Sequence, residues 1–211
     1  MIADVLGLFK DWDFFKVFSF FLPLILKSSG LILIVLFGAV LENSGAGKVL
    51  MDIANALTGK SRGGPAKAAV VGSSLMGMIS GTAVANVLTT GTISIPLMKR
   101  TGYRPETAGA IEAVASTGGQ LMPPVMGAAA FLMSDMTGIS YYEIARAALL
   151  PAILYYIVLF SVVHLEAVKM KIPIIDTKDI PSIWETLKKG GHLLLSLPVF
   201  IYMMFDGYSV M

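Results

Sequence analysis

A run of small polar residues inside apolar sequence is the first feature of this chain that could do chemistry. It reads GSSLMGMISGTAVANVLTTG from Gly72 to Gly91, and no charged residue occurs between Ala68 and Met98. A helix break at Ser80-Gly81-Thr82 would leave backbone groups free, and these groups can hold a ligand. The run therefore predicts a binding element rather than a plain apolar helix.

A second break follows at 116–124, where the sequence reads STGGQLMPP. Gly118 and Gly119 loosen a helix, and Pro123 and Pro124 each remove a backbone donor. Paired discontinuous helices of this kind mark binding sites in secondary transporters, where helix N-termini attract anions and unwound carbonyl groups coordinate sodium. The two breaks together favour an ion or organic-anion site.

Two further polar side chains lie in these apolar segments. Glu112 is an acid within a membrane segment, which makes it a candidate for carrying a proton. Its alternative role is to pair with Arg100 or Arg104 near the membrane surface. Asn86 either contacts a ligand or bonds a neighbouring helix.

The composition excludes several other functions. The chain of 211 residues is 55% hydrophobic and only 14% charged, whereas soluble domains carry about 25% charged residues. It contains no cysteine and only two histidines, which lie far apart. The sequence has no zinc-protease, phosphate-loop or serine-hydrolase motif. We therefore predict an all-α integral membrane protein that is not an enzyme, needs no cofactor beyond a coupling ion, and does not bind nucleic acid.

The uncharged run is too long to cross the membrane once. Its 31 residues would form a helix of about 46 Å, against a bilayer core of about 30 Å. Basic clusters at 60–67 and 99–104 bracket the run, and basic clusters favour the cytoplasmic side. We therefore predict a re-entrant helical hairpin over 66–98, with arms 66–79 and 83–98.

The remaining segments follow from the same pattern. Apolar spacing over 48–58 predicts an amphipathic helix, 107–133 a broken helix, and 143–169 a long helix containing Pro151. We expect an interfacial segment at 1–27, a scaffold span with the amphipathic arm at 28–60, a transport unit at 61–140, a kinked span and cytoplasmic loop at 141–189, and a last span at 190–211.

The quoted residues resemble a known family. GMISGTAVAN, IPLMKRTGY and GGQLMPPVMGAAAF, all within 62–133, are similar to the first-half core of the large membrane subunit of TRAP transporters. These motifs are most similar to those of the fused permeases of the TAXI branch, and the resemblance covers residues 31–209. It implies an elevator-type transporter of the bacterial inner membrane, which imports an organic anion with sodium or protons. A periplasmic solute-binding protein would deliver this carboxylate-type solute.

The resemblance also implies the site residues, carried over by position. The hairpin tip and the unwound segment together would line a cation site and one side of a substrate site, with Glu112 as the proton-coupling candidate. The cation site would comprise Ser80, Gly81, Thr82, Thr117, Gly118, Gly119 and Gln120, and the substrate site Ser80, Thr82, Asn86, Ser116, Pro123 and Pro124.

One departure from the family pattern leaves alternatives open. Family members carry a second, inverted copy of this unit, and this sequence shows one copy. We therefore expect a truncated product, a split gene or one piece of a larger assembly, with the second half or a small membrane subunit as partner in the bilayer. Alternatives are a divalent-anion/sodium symporter that needs no binding protein, a non-transporting membrane scaffold fragment, and a channel.

Overall fold

The computed structural model describes residues 40–41, 44–174, 182–195, 198 and 202, and its regular elements in these ranges are all helical. The predicted all-α class is therefore confirmed for the described residues. The predicted interfacial segment, most of the first scaffold span and most of the last span lie outside them. The helices are α1 Ala46–Thr58, α2 Gly64–Ser80, α3 Ala83–Arg100, α4 Pro105–Gly118, α5 Ala128–Thr137, α6 Tyr141–Lys169 and α7 Ile183–Leu194, with a 3-10 helix at Gly119–Leu121.

Helices α2 and α3 form a helical hairpin. Helix α2 ends at Gly81, whose φ of 61° is left-handed and whose N–H donates to the Gly77 carbonyl. Glycine takes this conformation without steric cost, so it is a common helix terminator. Thr82 is extended and starts α3. The arms have 17 and 18 residues, so each is about 26 Å long and shorter than a bilayer core.

The next segment is interrupted, although later than the sequence indicated. Helix α4 continues through Ser116 and Thr117 to Gly118, and the 3-10 helix and an irregular stretch occupy 119–127. Helix α5 then runs to Thr137, beyond the expected end at Met133. Glycine costs an α-helix only about 1 kcal/mol, so Gly118 can remain in the last turn of α4.

Helix α6 is the longest element. Among the described residues it is the one helix whose length and apolar composition suffice to cross a membrane, with 29 residues and a mean hydropathy of 2.2. Ser140 caps its first turn by accepting a hydrogen bond from the Glu143 N–H. Two tyrosine hydroxyls fasten α6 to α4, because Tyr155 donates to the Val114 carbonyl at 2.7 Å and Tyr156 to the Ala115 carbonyl at 2.9 Å.

Helices α1 and α7 pack against each other beside the hairpin. Helix α1 buries one face, which includes Leu50, Met51 and Ala54. Helix α7 begins at Ile183, within the stretch that the sequence indicated as a loop. Its sequence mixes charged and apolar residues, and Gly190 lies so close to Val49 of α1 that a Cβ atom would collide with that side chain.

Three chain segments meet at one end of the molecule. A Cβ atom added at Gly63 would lie 2.6 Å from the Tyr103 hydroxyl and 2.5 Å from Ala167 Cβ. The loop before α2, the loop after α3 and the C-terminal end of α6 are therefore adjacent. The largest buried cluster extends from this end between α2, α4 and α6, and it contains Ala66, Ala69, Val70, Met98, Tyr103, Ala108, Ile111, Ala115, Tyr156, Val163, Ala167 and Ile172.

Candidate functional site

The hairpin packs directly on the helix interruption. The Met78 carbonyl accepts a hydrogen bond from the Val125 N–H at 3.4 Å. A Cβ atom added at Gly119 would lie 2.7 Å from Gly77 Cα, and one at Gly81 would collide with the Met126 carbonyl oxygen. Glycine at these positions lets two backbones approach more closely than any side chain permits. The two breaks thus form one contact region, which we call the hairpin–break contact (Gly77–Thr82 with Gly119–Gly127).

Several of the predicted site residues lie at this contact. Gly81 and Gly119 form it directly, and Asn86 Nδ2 lies 3.0 Å from the position of a Cβ at Gly119. Ser80 donates its hydroxyl to the Thr82 carbonyl at 3.5 Å.

The irregular part of the break contains the rest of this group. The Gln120 carbonyl accepts a hydrogen bond from the Gly127 N–H at 2.8 Å, while the Gln120 residue itself is exposed. The Tyr141 hydroxyl contacts both the Pro124 carbonyl, at 2.9 Å, and the Val125 carbonyl. Pro123 precedes this anchored residue and is partly buried. These hydrogen bonds tie the break to the start of α6.

Three predicted residues have other surroundings. Thr117 is exposed, and its hydroxyl donates to the Ala113 carbonyl of its own helix at 2.8 Å. Gly118 faces α6, where a Cβ atom would collide with Tyr155. Ser116 is buried and donates to Glu112 at 3.1 Å. In this conformation these three residues do not reach the hairpin tip.

Glu112 lies in the interior, surrounded by hydroxyl groups. Its side chain is 0% exposed. The hydroxyls of Ser73 and Ser116 donate to Oε1 at 3.0 and 3.1 Å, Thr90 also contacts Oε1, and Ser94 contacts Oε2. Helices α2, α3 and α4 all contribute to this cluster, which we call the hydroxyl cage (Ser73, Thr90, Ser94 and Ser116).

The alternative of an ion pair between Glu112 and Arg100 or Arg104 does not match the structure. Both arginines are exposed, and no ion pair to Glu112 occurs among the described residues. The physical reason is position, because Glu112 lies about two turns into α4 and faces the hairpin. Its buried oxygens are satisfied by hydroxyls instead.

The three cage residues in the hairpin, Ser73, Thr90 and Ser94, were not predicted from the sequence. The spacing of Thr90 and Ser94 nevertheless carries a signal. Asn86, Thr90 and Ser94 recur every four residues along α3 and are all buried. Positions four apart share one face of a helix, so this polar stripe in an apolar helix indicates a buried polar partner. Ser73 has no such pattern, since Gly72 and Ser74 flank it in a general run of small residues.

A short helical hairpin packed on a broken helix is the type of element that builds binding sites in secondary transporters. Residues 19–210 match the family described as "Tripartite ATP-independent periplasmic transporter, DctM component". The chain therefore belongs to the TRAP transporter large permease family, as its motifs predicted. This is a family of transporter permeases and not of enzymes, and its members are integral proteins of the inner membrane.

Two relatives illustrate the extent of the match. The chain is 29% identical over 173 residues to the C4-dicarboxylate TRAP transporter large permease protein DctM of Pseudomonas aeruginosa, covering 82% of this chain and 40% of that protein. It is 25% identical over 167 residues to the 2,3-diketo-L-gulonate TRAP transporter large permease protein YiaN of Escherichia coli, covering 79% and 39%. The chain thus spans about two fifths of the length of these curated relatives.

Proposed function

We propose that this chain is part of the membrane subunit of a secondary active transporter that imports an organic anion delivered by a periplasmic solute-binding protein. The observation that carries the proposal is the hairpin–break contact in a chain of the TRAP permease family. The two relatives described above are named for C4-dicarboxylate and 2,3-diketo-L-gulonate. Both are carboxylates, which supports a carboxylate-bearing solute here.

Two helix N-termini at the contact provide the chemistry for a carboxylate. Helix α3 starts after Thr82 and helix α5 after Gly127, and neither start has a side-chain cap. Uncapped N–H groups and the positive end of the helix dipole attract anions. Ser80, Thr82, Asn86, Ser116, Pro123 and Pro124 remain the proposed substrate-site residues, with the first three at or beside the hairpin tip.

The coupling ion in this proposal is sodium, bound by oxygens of Ser80–Thr82 and Thr117–Gln120. Carbonyl and hydroxyl oxygens suit a hard cation. Gly119 already packs against Gly77 of the hairpin, and Thr117 and Gly118 would have to turn toward the hairpin tip to contribute their oxygens. A proton carried by Glu112 is the alternative coupling ion. Transport in the elevator manner of the TAXI branch would move the hairpin and the broken helix together relative to the scaffold at 28–60.

The hairpin would enter the membrane from the cytoplasmic side and return to it. Arms of about 26 Å do not cross a core of about 30 Å, and both hairpin ends lie beside the basic loops. The tip would then lie within the membrane, where protein contacts satisfy its non-helical backbone.

Uptake by the complete transporter in liposomes tests this function. Radiolabelled C4-dicarboxylates and sugar acids serve as probes, with and without the binding protein and an inward sodium gradient. We expect uptake that requires both. Uptake without the binding protein would favour the independent symporter, and a folded complete transporter that accumulates no organic anion would contradict the proposal.

A further inference from the structure

Two residues, Ser73 and Asn86, connect Glu112 to the hairpin–break contact. Ser73 donates its hydroxyl to Glu112 at 3.0 Å, and its backbone carbonyl accepts from Asn86 Nδ2 at 2.8 Å. Asn86 Nδ2 in turn lies 3.0 Å from the position of a Cβ at Gly119. A path through Ser73 and Asn86 therefore runs from the acid to the broken helix, with Asn86 beside Gly119 at its end.

Thr90 provides a second connection to the same asparagine. Its hydroxyl contacts Glu112 Oε1 and also lies 2.7 Å from the Asn86 carbonyl. A threonine hydroxyl has a single hydrogen to donate, so the two acceptors compete for it. The Thr90 hydroxyl therefore links Glu112 to the backbone of Asn86.

Close packing and satisfied hydrogen bonds hold the Glu112 side chain in one position. Gly91 of α3 faces the acid, and a Cβ atom there would lie only 3.2 Å from Glu112 Cγ. A buried polar group is costly unless its hydrogen bonds are satisfied, and here the hydroxyl cage satisfies both carboxyl oxygens. Because the cage hydroxyls come from α2, α3 and α4, the acid fixes the hairpin to α4 in one arrangement.

We infer that Glu112 is a positioning residue, which holds Asn86 and the hairpin where Gly77 meets Gly119 and thereby sets the affinity of the hairpin–break contact for the coupling ion. This inference rests on the proposed function, in which that contact binds sodium. It differs from a proton-carrying role because it requires no proton transfer. Glu112 acts through Asn86 and touches neither ion nor solute.

The first test compares Glu112→Gln with Glu106→Gln in sodium-titrated uptake by the complete transporter. Glu106 is an exposed acid in the first turn of the same helix, so its variant controls for the loss of one carboxylate. Glutamine keeps the shape of Glu112, but its amide nitrogen cannot accept from the hydroxyls that it faces, which are Ser94 in one amide orientation and Ser73 and Thr90 in the other. We expect the half-saturating sodium concentration to rise about fivefold in Glu112→Gln, with no shift in Glu106→Gln.

A cross-linking readout separates this inference from the proposed function. Cysteines at Met78 and Val125, which share a backbone hydrogen bond, report the hairpin–break contact without any transport. We expect Glu112→Gln to slow their oxidative cross-linking about fivefold and Glu106→Gln to leave it unchanged. If Glu112→Gln does not fold, Ser73→Ala, which removes the hydroxyl that joins Glu112 to the residue bonded by Asn86, replaces it with the same expected direction.

The outcomes are distinct. An unchanged cross-linking rate and sodium midpoint in a folded Glu112→Gln protein would overturn the positioning role. A wild-type transporter without sodium-dependent uptake would contradict sodium coupling, while slower cross-linking in the variant would still support the link from Glu112 to the break. The shift of the sodium midpoint that Glu112→Gln causes should also disappear in an Asn86→Ala background, since Asn86 carries the effect of Glu112.

Discussion

At the residue scale, two buried tyrosines differ in how their hydroxyls are satisfied. Tyr156 is 8% exposed and donates to the Ala115 carbonyl. Tyr103 is 3% exposed, and its hydroxyl has no hydrogen-bond partner among the described residues. Burial, together with the nearby charge of Glu166, raises the pKa of Tyr103 to about 12. Its phenol therefore stays neutral through the physiological range, and a buried hydroxyl without a hydrogen bond lowers the stability of the fold.

This difference predicts opposite effects of two matched substitutions. Tyr103→Phe should raise the free energy of unfolding by about 1 kcal/mol, and Tyr156→Phe should lower it by a similar amount, because only the second loses a hydrogen bond. Thermal melting of the purified transporter measures both. Equal destabilisation by the two variants would show that the Tyr103 hydroxyl is bonded in the assembled protein.

A second residue-scale prediction tests the proton hypothesis for Glu112. If this acid carries the coupling proton, Glu112→Gln should flatten the dependence of uptake on pH, because the amide cannot take part in proton exchange. Uptake measured across a pH series at saturating sodium decides this. A wild-type pH profile in the variant would remove the proton role and leave positioning as the function of the acid.

Residue type alone identified Glu112 and Asn86 as candidates, but it did not identify the cage. Serine and threonine in apolar helices commonly donate to a carbonyl of their own helix, as Thr89 does to Ala85 and Thr117 to Ala113. Ser94 instead reaches across to Glu112, and Thr90 contacts both Glu112 and the Asn86 carbonyl of its own helix. Which of these outcomes a hydroxyl adopts depends on the packing of neighbouring helices, and the local sequence does not contain that information.

At the element scale, the hairpin–break contact depends on glycine. The proposed sodium site predicts that Gly119→Val raises the half-saturating sodium concentration more than it lowers the yield of folded protein, because a side chain there collides with Gly77 and displaces the break. Thr82→Ala should act in the same direction but more weakly, since losing one hydroxyl leaves the carbonyl ligands in place. Sodium-titrated uptake measures both effects.

Gly109 offers the matched control for this prediction. It lies in α4 like the residues before the break, and a Cβ atom there meets nothing within 4 Å. Gly109→Val should therefore keep the wild-type sodium midpoint. If Gly119→Val also keeps it while remaining folded, the contact is a packing feature and the ion binds elsewhere.

The helices differ in how well the sequence predicted them. The turn at Ser80–Thr82 was predictable because the uncharged run is longer than a membrane crossing and carries basic clusters at both ends. Helix α7 was not, because Glu185 and the lysines at 188 and 189 give its sequence the composition of a loop. Its position against α1 is a tertiary effect, as the close packing of Gly190 on Val49 indicates.

At the scale of the whole molecule, the structure brings the two basic loops to one end. The approach of Gly63 to Tyr103 and Ala167 sets Lys60 and Lys99 near the C-terminal end of α6. Helix α6 has 29 residues and is about 44 Å long, so its start lies far from that end. This arrangement supports a hairpin that returns to its side of entry.

Cysteine labelling tests whether the hairpin enters and leaves the membrane on the same side. Cysteines would be introduced singly at Lys60, Lys99 and Asp135, all exposed, and treated with an impermeant thiol reagent in intact cells and in inside-out vesicles. We predict that Lys60→Cys and Lys99→Cys react only in inside-out vesicles, because both basic loops face the cytoplasm, and that Asp135→Cys reacts only in intact cells. Reaction of Lys60→Cys and Lys99→Cys from opposite sides of the membrane would contradict the re-entrant hairpin.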